Sequence, residues 1–126
     1  MTFDKVEHMR HTVEDVWNHG DVDGFMVAFV DDAELQPEAS YPDGGATIAG
    51  KSEITRFFHK IHRPVELGAL EEIGDQVMCS FRWQGSPPDT SYDWAFLYRF
   101  AGDRIVRARY YRDVEQARKA SADPTS

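Results

Sequence analysis

The chain is predicted to fold as α+β: a cone-shaped barrel in which a curved, mostly antiparallel sheet wraps around three N-terminal helices. Bulky side chains recur at every second position in Tyr92, Trp94, Phe96, Tyr98 and Phe100, the period of a strand with one apolar face. In the first half, by contrast, apolar residues recur every three or four positions, the period of a helix with one buried stripe. Helices come early and a run of strands comes late, the order expected when helices pack on one face of an antiparallel sheet.

The first helix is carried by Phe3, Val6, Met9, Val13, Val16 and Trp17, with Thr2 as its cap and Gly20 ending it in the left-handed conformation. Asp21 caps a shorter second helix with Val22, Phe25, Met26 and Phe29 on its apolar side. Asp31-Asp32 reads as a turn and Ala33 to Glu38 as a short strand, which Pro37 places at a sheet edge. Ser40 to Gly50 is rich in Gly and Pro and reads as a loop, with Tyr41 its one large aromatic. Lys51 to His62 forms a third helix that buries Ile54, Phe57, Phe58 and Ile61 and stops before Pro64. A hairpin follows, from Val65 to Ile73 and from Gln76 to Gln84 around Gly74-Asp75. After a turn region at Gly85 to Asp89, two long strands meet at Ala101-Gly102-Asp103. The pattern weakens from Val114. The expected organisation is one domain over residues 1–118 and a disordered tail over 119–126.

Composition narrows the function. The 126 residues suffice for one domain with a real core. A formal net charge of −8 disfavours a nucleic-acid partner, which requires a basic face. No apolar run approaches the roughly 20 residues that span a bilayer, and the polar N-terminus lacks the apolar centre of a secretory signal. The single cysteine, Cys79, excludes an internal disulfide and a Cys-rich zinc site. The expectation is a soluble, cytoplasmic protein.

Trp17-Asn18-His19-Gly20-Asp21-Val22-Asp23-Gly24-Phe25, Phe29-Val30-Asp31-Asp32-Ala33, Ile48 to Phe58 and the hairpin through Gly102 resemble the nuclear-transport-factor-2-like superfamily. That superfamily includes the SnoaL-like polyketide cyclases, ketosteroid isomerases and limonene epoxide hydrolases. The resemblance runs over residues 3 to 117 and implies a cystatin-like cone, with a pocket inside and a homodimer formed through the outer sheet face. Its motifs are structural and leave the chemistry open. Pro37 stands where ketosteroid isomerases place their carboxylate base, and Val13 and Phe96 stand where they place their oxyanion donors. Tyr110 stands where limonene epoxide hydrolases place a carboxylate. General SnoaL-like membership is therefore what the resemblance implies.

The residues expected to line the pocket are Trp17, Tyr41, Phe58, Trp83, Trp94 and Phe96, although aromatics at such positions equally serve as ordinary core. The candidate catalytic residues are Tyr110, Asp93 and His59. Tyr110 shares the inward parity of Val106 and Ala108. Asp93 is an acid in an apolar strand, where parity sends it outward unless a bulge intervenes. His59 and His62 are three apart, close to ligand spacing, but His8 and His11 repeat that spacing and no third ligand is evident. No metal and no cofactor are expected. Two functions fit: a cofactor-independent isomerase, cyclase or hydrolase acting on a small apolar metabolite by acid–base chemistry, or a non-catalytic ligand-binding or dimerisation module.

Overall fold

The computed structural model describes residues 4–37, 47–61, 65–83 and 94–122, with the side chains of 14–16, 18, 61, 65 and 83 outside the description. Helix α1 (Lys5–His19) buries Met9, Val13 and Trp17, one residue per turn along a single stripe. Its cap is Asp4, whose Oδ1 accepts from the backbone N–H groups of Val6 (3.1 Å) and Glu7 (3.2 Å). Thr2, the expected cap, lies outside the described residues. Gly20 ends the helix at φ 71°.

Asp21 caps helix α2 (Val22–Met26) by accepting from Gly24 N at 3.1 Å. A Cβ on residue 24 would lie 2.4 Å from the Asp21 carboxylate, so the cap itself demands glycine there. Helix α3 (Lys51–Ile61) buries Ile54 and Phe58 and packs against strand β1 (Phe29–Gln36).

Among the described residues the sheet contains β1, β2 (Ile48–Ala49), β3 (Val65–Ile73), β4 (Gln76–Trp83), β5 (Trp94–Ala101) and β6 (Arg104–Tyr111), in the order β2-β1-β6-β5-β4-β3. Every pairing is antiparallel except β1 with β6. The hairpin turns fall where expected, with Gly74 at φ 61° and Gly102 at φ 64°.

Three strand expectations are corrected. Asp31 and Asp32 lie inside β1, not in a turn before it, and both are exposed. They occupy a register shift between Phe29 and Glu34, where the extra residues leave the ladder and the carboxylates stay in water. The strand is also not an edge: it lies between β2 and β6. Pro37 follows its last residue, Gln36, so no ladder N–H is lost. Ile48 and Ala49, expected in a loop, form β2 and pair with Leu35 and Glu34.

The C-terminal stretch is corrected too. Val114 to Ala122 forms a fourth helix, α4, so residues 119–122 are helical where a disordered tail was expected. Asp113 caps it, accepting from Glu115 N at 2.8 Å. Helix α4 lies on the outer face of the sheet. Its Ala117 joins Met78, Ala95, Leu97 and Tyr111 in a second, smaller core, and Arg118 pairs with Glu71 at 2.8 Å. The outer face, expected to be flat and free for a second copy, is therefore partly covered by the chain's own helix.

The main core lies on the other side of the sheet, between its inner face and α1, α2 and α3. No helix among the described residues is long and apolar enough to cross a membrane.

Leu97 is 1% exposed on the outer face beneath α4. Leu97→Ala should cost about 2–5 kcal/mol and speed amide exchange in α4 more than in α1, measured by chemical denaturation and hydrogen exchange.

Candidate functional site

The alternation of β5 places Trp94, Phe96, Tyr98 and Phe100 on the inner face. In register beside them, β4 contributes Cys79 opposite Phe96 and Phe81 opposite Trp94, and β6 contributes Tyr110 opposite Phe96. Trp17, near the end of α1, reaches into this surface. Its ring lies 5.7 Å from Trp94, 6.0 Å from Phe81, 6.0 Å from Phe96 and 6.1 Å from Phe58. Phe81 stacks on Trp94 at 4.7 Å and Phe96 on Tyr98 at 5.7 Å. Tyr110 lies 5.3 Å from Phe96 and 5.5 Å from Trp94. Most of these contacts are edge-to-face or tilted, the arrangement ring quadrupoles favour.

Of the expected site residues, Trp17, Phe58, Trp94, Phe96 and Tyr110 are thus brought together. All except Tyr110, which is partly buried, are buried. His59 is not with them: it sits on the exposed side of α3, its Nε2 3.7 Å from an Asp23 carboxylate oxygen. Trp83 ends β4, with its side chain outside the description. Tyr41 and Asp93 lie outside the described residues.

The cluster also includes Phe25, Phe81 and Tyr98, which the sequence reading did not single out as site residues. For Tyr98 the signal was present in the shared parity with Trp94 and Phe96. For Phe81 it lay in the register of β4 against β5, which periodicity within one strand does not reveal.

Two hydrogen-bond donors are trapped in this apolar surface. The Trp17 indole N–H and the Tyr98 hydroxyl are buried without a hydrogen-bond partner among the described residues. An unpaired buried polar group costs about 1–3 kcal/mol, so each is a place where a ligand atom would be welcomed. Burial pushes the Tyr98 phenol well above its ordinary range, with the neighbouring Cys79 adding to the effect. Burial likewise pushes up the Cys79 thiol, which makes it a core residue and a poor nucleophile. Both groups stay protonated at neutral pH.

Among the described residues, carboxylates are elsewhere. Asp31, Asp32 and Asp113 are exposed. No group of three His, Cys, Asp or Glu side chains among the described residues is placed to hold a metal ion. A groove of about 610 Å³ at the start of α3 is lined by Asp31, Lys51, Ser52, Glu53 and neighbouring residues, and none of the expected site residues among those described lies in it.

A family model described as the SnoaL-like domain matches residues 9–108. No curated protein matches the chain. Among solved structures, a SnoaL-like protein of unknown function from Burkholderia thailandensis superposes with a TM-score of 0.65 at 17% identity, over 86% of this chain and 97% of that one. An uncharacterised cystatin-fold protein from Novosphingobium aromaticivorans gives 0.64 at 21% identity, over 87% and 99%. A hypothetical protein from Catenulispora acidiphila with a ketosteroid-isomerase-like fold, crystallised in complex with trimethylamine, gives 0.60 at 19% identity, over 92% and 93%. At these identities the likeness is one of fold, and it bears out the cystatin-like α+β reading.

Tyr98→Phe should leave stability unchanged or raise it by up to about 1–2 kcal/mol, since it removes a buried hydroxyl that lacks a partner among the described residues. A loss of similar size on chemical denaturation would reveal a partner.

His8, packed edge-on to Phe100 at 6.5 Å, has its pKa lowered from 6.5 by burial. The unfolded chain then binds the proton more readily than the folded one. The stability this residue contributes is complete above about pH 6.5 and is lost as the pH falls through the lower folded value. His8→Gln should flatten the decline of Tm below that pH.

Proposed function

Because the chain belongs to the SnoaL-like domain family, we propose that it binds a small, largely apolar molecule on the inner, aromatic face of its sheet, where Trp17, Trp94 and Tyr110 meet. The carrying observation is the buried Trp17 indole N–H with no partner among the described residues. A carbonyl, ether or hydroxyl oxygen on the ligand would accept from it, and the surrounding rings would cover the apolar remainder. The rings pack on one another, so entry requires one to swing aside. Tyr110, less buried than Trp17, Trp94 and Phe96, is best placed to do so.

The catalytic form of this reading is a cofactor-independent isomerase, cyclase or hydrolase. It needs a group that changes protonation inside the site near neutral pH. The Tyr98 phenol and the Cys79 thiol on the inner face are held protonated by burial, and His59 lies on an exposed surface. What the described residues support is therefore binding, while Asp93, a candidate acid, lies outside them. A homodimer through the outer sheet face has less support, because α4 already covers Met78, Ala95, Leu97 and Tyr111 there.

A thermal-shift screen with steroids, terpenes, aromatic polyketides and trimethylamine tests this reading. A ligand at a hundred times its Kd stabilises the fold by about 2.7 kcal/mol. An oxygen-bearing ligand should raise Tm equally from pH 5 to pH 8, and Trp17→Phe should weaken it about tenfold by removing the N–H while keeping a ring. Trimethylamine, drawn as a cation to the ring faces, would bind the variant nearly as well. A shift that depends on pH would favour the catalytic form, and no shift with any ligand would overturn the proposal.

A further inference from the structure

The outer face of the sheet carries a group of side chains used neither by the core nor by the inner site. Arg99 on β5 and Arg107 on β6 are direct register partners. Their neighbours Tyr98, Phe100 and Ala108 belong to the inner core, so both arginines leave the sheet on the opposite side. Arg109 follows on the same face, two residues further along β6. Three arginines thus leave adjacent strands on one face, in a chain with 22 acidic residues and 14 basic ones. Like charges directly opposite each other weaken an antiparallel pair.

Two carboxylates stand beside Arg99 and Arg107 without hydrogen-bonding to them: Asp75, and Glu34, the exposed register partner of Arg107 on β1. Arg99 forms an ion pair with Asp75, Nε to Oδ2 3.7 Å, which is too long for a hydrogen bond. Arg107 makes no ion pair among the described residues. Its Nη2, like Arg99 Nε, is buried without a hydrogen-bond partner among them. Arg109 is 9% exposed, with its guanidinium carbon 5.8 Å from the centre of the Tyr111 ring. Burial raises the Tyr111 pKa, while first Arg109 and then Arg107 oppose the rise, so both positive charges are felt at the same point.

We propose that Arg99, Arg107 and Arg109 form an oxyanion site on the outer sheet face, taking the phosphate or carboxylate group of a small molecule. The planar guanidinium fork matches both groups through paired hydrogen bonds. An anion here gives the orphaned nitrogens partners and removes the repulsion between facing strands. Helix α4 stands beside the site, packed on Leu97, the register partner of Arg109. The site lies across the sheet from the aromatic face and does not depend on what binds there.

Inorganic phosphate and succinate, each titrated against sodium chloride at matched ionic strength, test the proposal. At least one should raise the Tm of the native protein and move the Nε–Hε signals of Arg99 and Arg107 in NMR spectra. A response to phosphate alone marks a phosphoryl ligand, to succinate alone a carboxylate ligand, and to both a general oxyanion site. Arg107→Gln should weaken the responding anion about tenfold or more. Without added anion, this variant should be as stable as the native protein or more so, because the facing charge is gone. The proposal is overturned if neither anion moves the arginine signals, a result that needs no variant. Equal anion responses in the native protein and Arg107→Gln also overturn it. So does an Arg107→Gln change that splits a dimer, seen by sedimentation, with no change in anion response, since the arginines would then serve a second copy.

Discussion

The strictest constraint in this molecule is the side-chain alternation of β5, which is buried on both faces. Trp94, Phe96, Tyr98 and Phe100 enter the main core while Ala95 and Leu97 enter the smaller core beneath α4. A slip of one residue would exchange the two sets, forcing bulky aromatics under a helix that offers only small side chains and leaving alanine and leucine to face Trp17. The register of β4 and β6, the depth of Trp17 and the seat of α4 all follow from this strand.

Filling the inner face with rings has a chemical consequence. Aromatic side chains provide large apolar areas, but Trp and Tyr bring polar atoms with them. Within a surface built from Phe25, Phe58, Phe81 and Phe96, the Trp17 N–H and Tyr98 O–H find no partners among the described residues. The same environment suppresses ionisation of Tyr98 and Cys79. The inner face is therefore suited to donating hydrogen bonds to a neutral ligand more than to exchanging protons with it. The outer face has a different character: away from α4 it carries Arg99 and Arg107, each with a buried nitrogen that has no hydrogen-bond partner among the described residues.

Much of the architecture was legible in the sequence because it rests on local physics. The apolar stripes placed α1, α2 and α3. Asp21 and Gly20 marked the boundary between two helices, and Gly74 and Gly102 marked the hairpins. The period of two in Trp94, Phe96 and Tyr98 identified the inner wall. The site was legible only in part: Trp17, Phe58, Trp94, Phe96 and Tyr110 converge, but His59 carries the buried stripe's helix on its opposite, exposed side.

What the sequence by itself determined was the set of elements whose signals lie within one turn or one strand. Only the tertiary structure decided which strands became neighbours. The parallel pairing of β1 with β6 joins residues more than seventy positions apart, and it turned an expected edge strand into an interior one. It decided that α4 is a helix with a place to lie, since Val114, Ala117 and Ala120 make a weak stripe until Leu97 and Met78 are set beneath it. It also brought Arg99 opposite Arg107, because cross-strand partners are fixed by register and a β-bulge between Arg99 and Phe100 shifts that register. Neighbours along the chain are written in the sequence; neighbours across the sheet arise when the strands pair.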